Sequence, residues 1–203
     1  LIKVINILDT SASNIKSLCN ALEHLNIKFR KTKKIEDLKK ATHIILPGVG
    51  SYKNLIEELK KNYILDELKI LIQSQNTIFL GICVGMQVLS TVGHEIEKTK
   101  GLNIIKGNVK KINTNLKLPH VGWNSVFFDQ KSPLLENIEN GTEFYFTHSY
   151  EFIPEFTENI LGMTFYDNKI TSIIQNKNIF GVQFHPEKSQ EPGLKLISNF
   201  SKI

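Results

Sequence analysis

The pentapeptide Gly81-Ile82-Cys83-Val84-Gly85 constrains this chain most. It follows an apolar run at residues 77–82 that reads as a buried strand, and it opens a stretch of helical spacing that reads on to about residue 92. A G-x-nucleophile-x-G sequence between a strand and a helix makes a sharp turn that lifts the middle side chain above a sheet. A Cβ at either glycine would crowd that turn. The thiol then sits at a helix N-terminus, where the positive end of the dipole favours its ionised form.

The surrounding pattern supplies the sheet. Residues 2–8 read as a strand; Lys3 and Asn6 interrupt the run, and neither a basic leader nor a small-residue cleavage site is expected there. Ile15, Leu18, Cys19, Leu22 and Leu25 recur at helical spacing within residues 14–25, which makes Cys19 a core thiol. Further strands are expected at residues 27–30 and 43–46, with a short helix at 35–40. Pro47-Gly48-Val49-Gly50 then forms a turn, Ser51 caps a helix at 52–61, and a second helical stretch runs to about residue 73. This alternation argues a mostly parallel sheet with helices on both faces. From residue 102 the runs become short and β-rich, at 104–112, 126–128, 144–146, 160–165, 170–174 and 179–184, before a closing helix at 192–200. Antiparallel additions to the sheet fit them. With no repeat and no linker, residues 1–203 read as one α/β domain.

Composition narrows the function. The chain of 203 residues is 41% hydrophobic and 22% charged, which is globular, and its apolar runs fall short of the roughly 20 residues that a membrane-spanning helix needs. The net charge of +5 comes almost wholly from lysine, Arg30 being the only arginine. A nucleic-acid reader usually relies on arginine as well, so the basic stretch at residues 28–40, which also holds Glu36 and Asp37, reads as a solvated face. Two cysteines make no disulfide framework and point to a reducing, cytoplasmic setting. No Cys/His cluster has metal-ligand spacing and no glycine fingerprint suits a dinucleotide or phosphate, so no metal or cofactor is expected.

A cysteine nucleophile needs a base and a group that orients it. His185-Pro186-Glu187 follows the run at 179–184, at the same kind of strand end. There Glu187 can hold the tautomer of His185, and such a base contributes about 10²- to 10⁴-fold. Acyl transfer also needs oxyanion donors, for which the amides of Val84 and Val49 are candidates; losing one such donor costs about 3–4 kcal/mol. Each motif alone also fits a plain structural role. Together they fall where open α/β sheets bind ligands.

In order and separation, Pro47-Gly48-Val49-Gly50, Gly81-Ile82-Cys83-Val84-Gly85-Met86-Gln87 and His185-Pro186-Glu187-Lys188-Ser189 resemble the class I, triad-type glutamine amidotransferases. Pro119-His120-Val121-Gly122-Trp123-Asn124 and Tyr145-Phe146-Thr147-His148-Ser149-Tyr150 are similar to segments of the glutaminase subunits of imidazole glycerol phosphate synthase. The resemblance implies the family's three-layer sandwich, and a Cys83–His185–Glu187 triad that forms a glutamyl thioester and ammonia. It implies an oxyanion site at Val49 and Val84, and a glutamine site of Gly48, Gly50, Gln87, Glu95, Ser149 and Tyr150. It also implies a (β/α)₈ cyclase partner of HisF type, met by Asn14, Pro119, Trp123 and Lys188 and used in histidine biosynthesis. His120 and His148 read as structural or interfacial.

Two departures stand out. After the first strand the family usually has a glycine-containing loop, whereas this chain reads Asp9-Thr10-Ser11-Ala12-Ser13-Asn14; and Gly93-His94 precedes Glu95 where Ser-Glu is common. Three other readings therefore stay open: a paralogous glutaminase that serves sugar amidination, a silent regulatory subunit, and a cysteine peptidase. The intact triad argues against the second, and the Gln87–Glu95 pair, suited to a free amino acid, argues against the third.

Overall fold

The computed structural model describes residues 4–10, 15–63, 65–74 and 76–203. Its first half alternates as β1 (Ile5–Leu8), α1 (Ile15–His24), β2 (Phe29–Thr32), α2 (Ile35–Leu38), β3 (His43–Gly48), α3 (Tyr52–Asn62), α4 (Leu65–Gln73) and β4 (Ile78–Cys83). β1 and β3 are buried along their whole length, and they read as mainly apolar runs because helices cover both faces of the sheet. β2, β1, β3 and β4 pair in parallel, in that order.

The chain order decides which face each helix takes. The step from β1 to β2 runs one way across the sheet, and the step from β3 to β4 runs the other. Right-handed crossovers then put α1 on one face and α3 and α4 on the opposite one. α2 packs on α4, as its own crossover requires.

The second half comprises α5 (Val84–Gln87), β5 (Val92–His94), β6 (Lys98–Lys100), β7 (Gly107–Lys111), β8 (His120–Ser125), β9 (Glu143–His148), β10 (Tyr150–Pro154), β11 (Ile160–Tyr166), β12 (Asn168–Asn176), β13 (Ile179–Val182) and α6 (Gln190–Lys202). β13 joins β4 in parallel, and β12 and β11 extend the sheet antiparallel. Among the described residues the central sheet runs β11-β12-β13-β4-β3-β1-β2, beside a sheet β10-β7-β5-β6 and the pair β8-β9. One apolar core runs from Ile5 to Phe200.

Three expectations are corrected. The helix after Cys83 is a single turn, not one reaching residue 92. Its continuation is pre-empted because the Val88 and Leu89 carbonyls accept from Leu102, Ile104 and Ile105, and Ser90 O accepts from Asn103. The strand expected at 104–112 is shorter. Residues 126–128 form no strand, only a bridge from Phe127 to Met163. Ser51 does cap α3, its hydroxyl accepting from the Asn54 amide at 3.3 Å.

The turn at Cys83 is as crowded as its glycines suggest. A Cβ on Gly85 would lie 2.0 Å from Leu46 O, and one on Gly81 would lie 2.5 Å from Gly85 O. Backbone cannot step aside as a side-chain tip does. Gly85→Ala is therefore expected to destabilise the fold by about 1–3 kcal/mol or more, read as a lowered urea midpoint. A midpoint equal to wild type would contradict that packing.

Candidate active site

The nucleophile seat is built by register. Cys83 ends β4, with Gly48 of β3 as its partner on one side; on the other, Val182 pairs with Ile82 and leaves Gln183 beside the thiol. Cys83 has φ +54° and ψ −114°. A non-glycine residue there carries strain of about 1–3 kcal/mol, of a kind that collects at functional sites. The Gln183 Nε2 donates to Cys83 Sγ at 3.6 Å, while its Oε1 accepts from Gln87 Nε2 at 2.9 Å. Gln183 escaped the sequence reading; a polar residue inside the apolar run at 179–184 was the available signal.

His185 follows β13, and its backbone is tied to β9. Its amide donates to Tyr145 O at 2.9 Å, and Ser189 Oγ donates to His185 O at 2.6 Å while accepting from the Tyr145 amide at 3.0 Å. Pro186 starts a 3₁₀ turn that brings Glu187 back to the ring, so Nδ1–H of His185 donates to Glu187 Oε1 at 2.8 Å. Both side chains are buried, at 2% and 8% exposure. Nε2 makes no hydrogen bond of standard geometry. Burial works against the imidazolium, but contact with Cys83, looser than a standard hydrogen bond, and the Glu187 carboxylate outweigh it and raise the pKa to about 10. Cys19 is only a core thiol, its pKa pushed up by burial.

A cavity of about 330 Å³ opens over the thiol. Ten sequence-predicted residues line it: Val49, Gly50, Cys83, Val84, Gln87, Glu95, Pro119, Ser149, Tyr150 and His185. Gly50 takes φ +85° at the loop after β3, the conformation that favours glycine. Gly48 and Glu187 stand behind this wall. Thr147 and His148 line it too, unassigned as site residues from sequence.

Hydrogen bonds hold the wall that Gln87 and Glu95 form. Gln87 spends both amide protons within the protein, on Gln183 Oε1 and on Tyr150 O, each at 2.9 Å, so only its carbonyl oxygen is left to accept from a ligand. Glu95 Oε2 accepts from the Tyr52 amide at 2.6 Å, and Tyr150 Oη donates to Glu95 O at 3.0 Å. The Gly93-His94 departure thus leaves Glu95 in the cavity wall. Burial holds His120 down to about pKa 4 and, chiefly, His148 down to about 3, so both are neutral at physiological pH.

Of the residues expected to meet a partner, Asn14 and the departure at 11–13 lie outside the described residues. Trp123 is 44% exposed, so it is no core aromatic. Trp123 packs edge-on against Tyr145 at 6.2 Å, and Lys188 Nζ stands 5.9 Å over the same ring. Among the described residues there is no cluster of three or more His, Cys, Asp or Glu placed to hold a metal, and no helix long and apolar enough to cross a membrane.

This fold and cavity define a class of protein. Residues 6–203 match the class I glutamine amidotransferase family, and the chain belongs to it. Within the family it is 44% identical over 200 residues to the imidazole glycerol phosphate synthase subunit HisH of Methanocaldococcus jannaschii, covering 98% of this chain and 100% of that one. It is 37% identical over 206 residues to the subunit HisH of Pelagibacter ubique, covering 98% and 99%. The solved structure of PurLQS from Thermotoga maritima shares the fold, with TM-score 0.75 at 20% identity over 98% of each chain.

Proposed function

We infer that the chain is the glutaminase subunit of an imidazole glycerol phosphate synthase, releasing ammonia from glutamine for a (β/α)₈ cyclase of HisF type in histidine biosynthesis. The observation that carries this reading is the convergence on one cavity of Cys83, His185 and the Gln87–Glu95 wall, in a chain 44% identical end to end to a HisH subunit. The relatives reported above do not favour the sugar-amidination reading.

In this reading Cys83 gives its proton to His185 Nε2, and its Sγ attacks the side-chain carbonyl carbon of glutamine. The oxyanion that forms is held by the amides of Val49 and Val84. His185 hands the proton on Nε2 to the departing nitrogen, ammonia leaves, and a glutamyl thioester remains on Cys83. His185, now neutral, takes a proton from water, the hydroxide opens the thioester, glutamate leaves, and His185 returns that proton to Cys83 Sγ. Glu187 keeps Nε2 turned to the thiol throughout. The Gln87 Oε1 accepts from the ammonium group of the substrate, beside Glu95 and the Ser149–Tyr150 backbone.

Pro119, Trp123 and Lys188 are the described part of a cyclase-docking face, to which Val121 adds exposed apolar surface. The core from Ile5 to Phe200 supports one domain over residues 1–203. Two unpaired cysteines, Cys19 and Cys83, support a reducing, cytoplasmic setting.

Glutamate release from glutamine tests the whole reading, measured with this chain alone and with the cyclase subunit, with and without the ribonucleotide that the cyclase consumes. Weak activity alone and strong stimulation that requires the ribonucleotide are expected. Stimulation indifferent to the ribonucleotide would reassign the ammonia acceptor.

A further inference from the structure

A run of hydrogen bonds crosses from β8 to the cavity, and its direction is set by its ends. At the outer end, Asn124 Oδ1 accepts from the Ser125 amide at 2.9 Å and Nδ2 donates to Phe165 O at 2.8 Å, which fixes the orientation of the side-chain amide. The same Nδ2 stands 3.1 Å from His120 Nε2 and must donate to it. His120 therefore carries its proton on Nδ1, 3.0 Å from His148 Nε2. His148 Nε2 must accept, so His148 in turn carries its proton on Nδ1 and donates to Tyr150 O at 2.9 Å. An amide that can only donate and a carbonyl that can only accept thus leave one arrangement: two neutral rings, both protonated on Nδ1.

The packing allows no rotation to another. His120 is clamped between the rings of Phe146 and Tyr166, with centroids at 4.8 and 4.1 Å. His120 and His148 are a cross-strand pair in β8–β9. An added proton on either ring would set N–H against N–H, and burial already holds both rings neutral.

We propose that Asn124, His120 and His148 form a one-way relay that positions the Tyr150 carbonyl, and with it the backbone and Gln87 amide that receive the amino-acid end of glutamine. Tyr150 O takes one hydrogen bond from the relay and one from Gln87, and Ser149 O is held by the Ile112 amide at 3.0 Å. Without the relay, His148 can move its proton to Nε2 and turn a lone pair on the carbonyl, which then swings and carries Gln87 with it. These are positioning residues, and the proposal rests on the glutaminase reading.

The test uses the complex with the cyclase subunit. Nitrogen NMR of labelled histidines should show His120 and His148 as neutral Nδ1–H tautomers. His120→Phe keeps the ring stack and removes the donor, so KM for glutamine should rise about tenfold, the equivalent of one lost hydrogen bond, with kcat within about twofold. His120→Asn, which restores a donor, should recover most of the loss. If His120→Phe does not fold, Asn124→Ala should shift KM the same way. A charged ring, an Nε2–H tautomer, or an unchanged KM in a folded variant would overturn the relay. No glutamine hydrolysis by the wild-type complex would instead overturn the glutaminase reading and the positioning role with it, while the tautomers would still report on the hydrogen-bond run.

Discussion

Cys83→Ala is expected to abolish glutamine hydrolysis, with a loss of at least about 10³-fold even in the complex with the cyclase. Removing a covalent nucleophile leaves only binding and the oxyanion donors, which sustain about 10³- to 10⁴-fold over water in comparable triads. The small side chain relieves no contact that the fold depends on. It removes a weak acceptor for Gln183 Nε2 at 3.6 Å and one of the two contacts that hold the His185 imidazolium, so the melting temperature should fall only modestly. The complex should still make product when ammonia is supplied directly. Assays of glutamate release beside ammonia-driven turnover separate the two effects. Residual glutaminase within tenfold of wild type would remove Cys83 from the reaction. Loss of the ammonia-driven activity as well would point to a failure of assembly.

Glu187→Gln is the second large effect, about 10²- to 10⁴-fold in kcat, because the imidazole loses the carboxylate that orients it and supports its charge. The expected change in titration has a definite sign. In the wild type the imidazolium persists up to about pH 10, against burial that opposes it. With the carboxylate gone, one of the two groups that oppose burial is lost, and the pKa falls while Cys83 still holds it up in part. The raised value also stabilises the folded chain: the contribution is complete below the ordinary histidine pKa of about 6.5 and is lost as pH climbs towards 10. The difference in stability between wild type and Glu187→Gln should therefore shrink between those two values. A His185 resonance that titrates alike in both proteins, or a kcat within threefold, would show that Glu187 does not carry this role.

The interior of the parallel half was legible because β1, β3 and β4 are largely buried and read as mainly apolar runs between turn signals. The site was legible because its chemistry is compressed into short motifs, Gly81 to Gln87 and His185 to Ser189. What escaped was whatever distant pairing creates. Lys98–Lys100 is a strand with no apolar residue, formed by pairing with Val92–His94. Tyr150–Pro154 is a strand because Gly107–Lys111 lies beside it. The helix after Cys83 was overestimated for the same reason: residues 102–105, invisible to a local window, claim the carbonyls that would have extended it. Gln183 and His148 gain their roles from neighbours 100 and 28 residues away.

The position of β4 has a consequence for how the chain must be made. β4 is flanked by β3 on one side and by β13, about a hundred residues later, on the other. While a ribosome is still synthesising the intervening segments, β4 is the open border of a half-built sheet: a hydrophobic strand with unpaired amides and carbonyls, the kind of edge that recruits other chains. The nucleophile at its tip has no base until residue 185 has left the exit tunnel. Reactive chemistry and a sealed sheet therefore arrive together, late in translation, and variants that slow the docking of β13 should first betray themselves as aggregates.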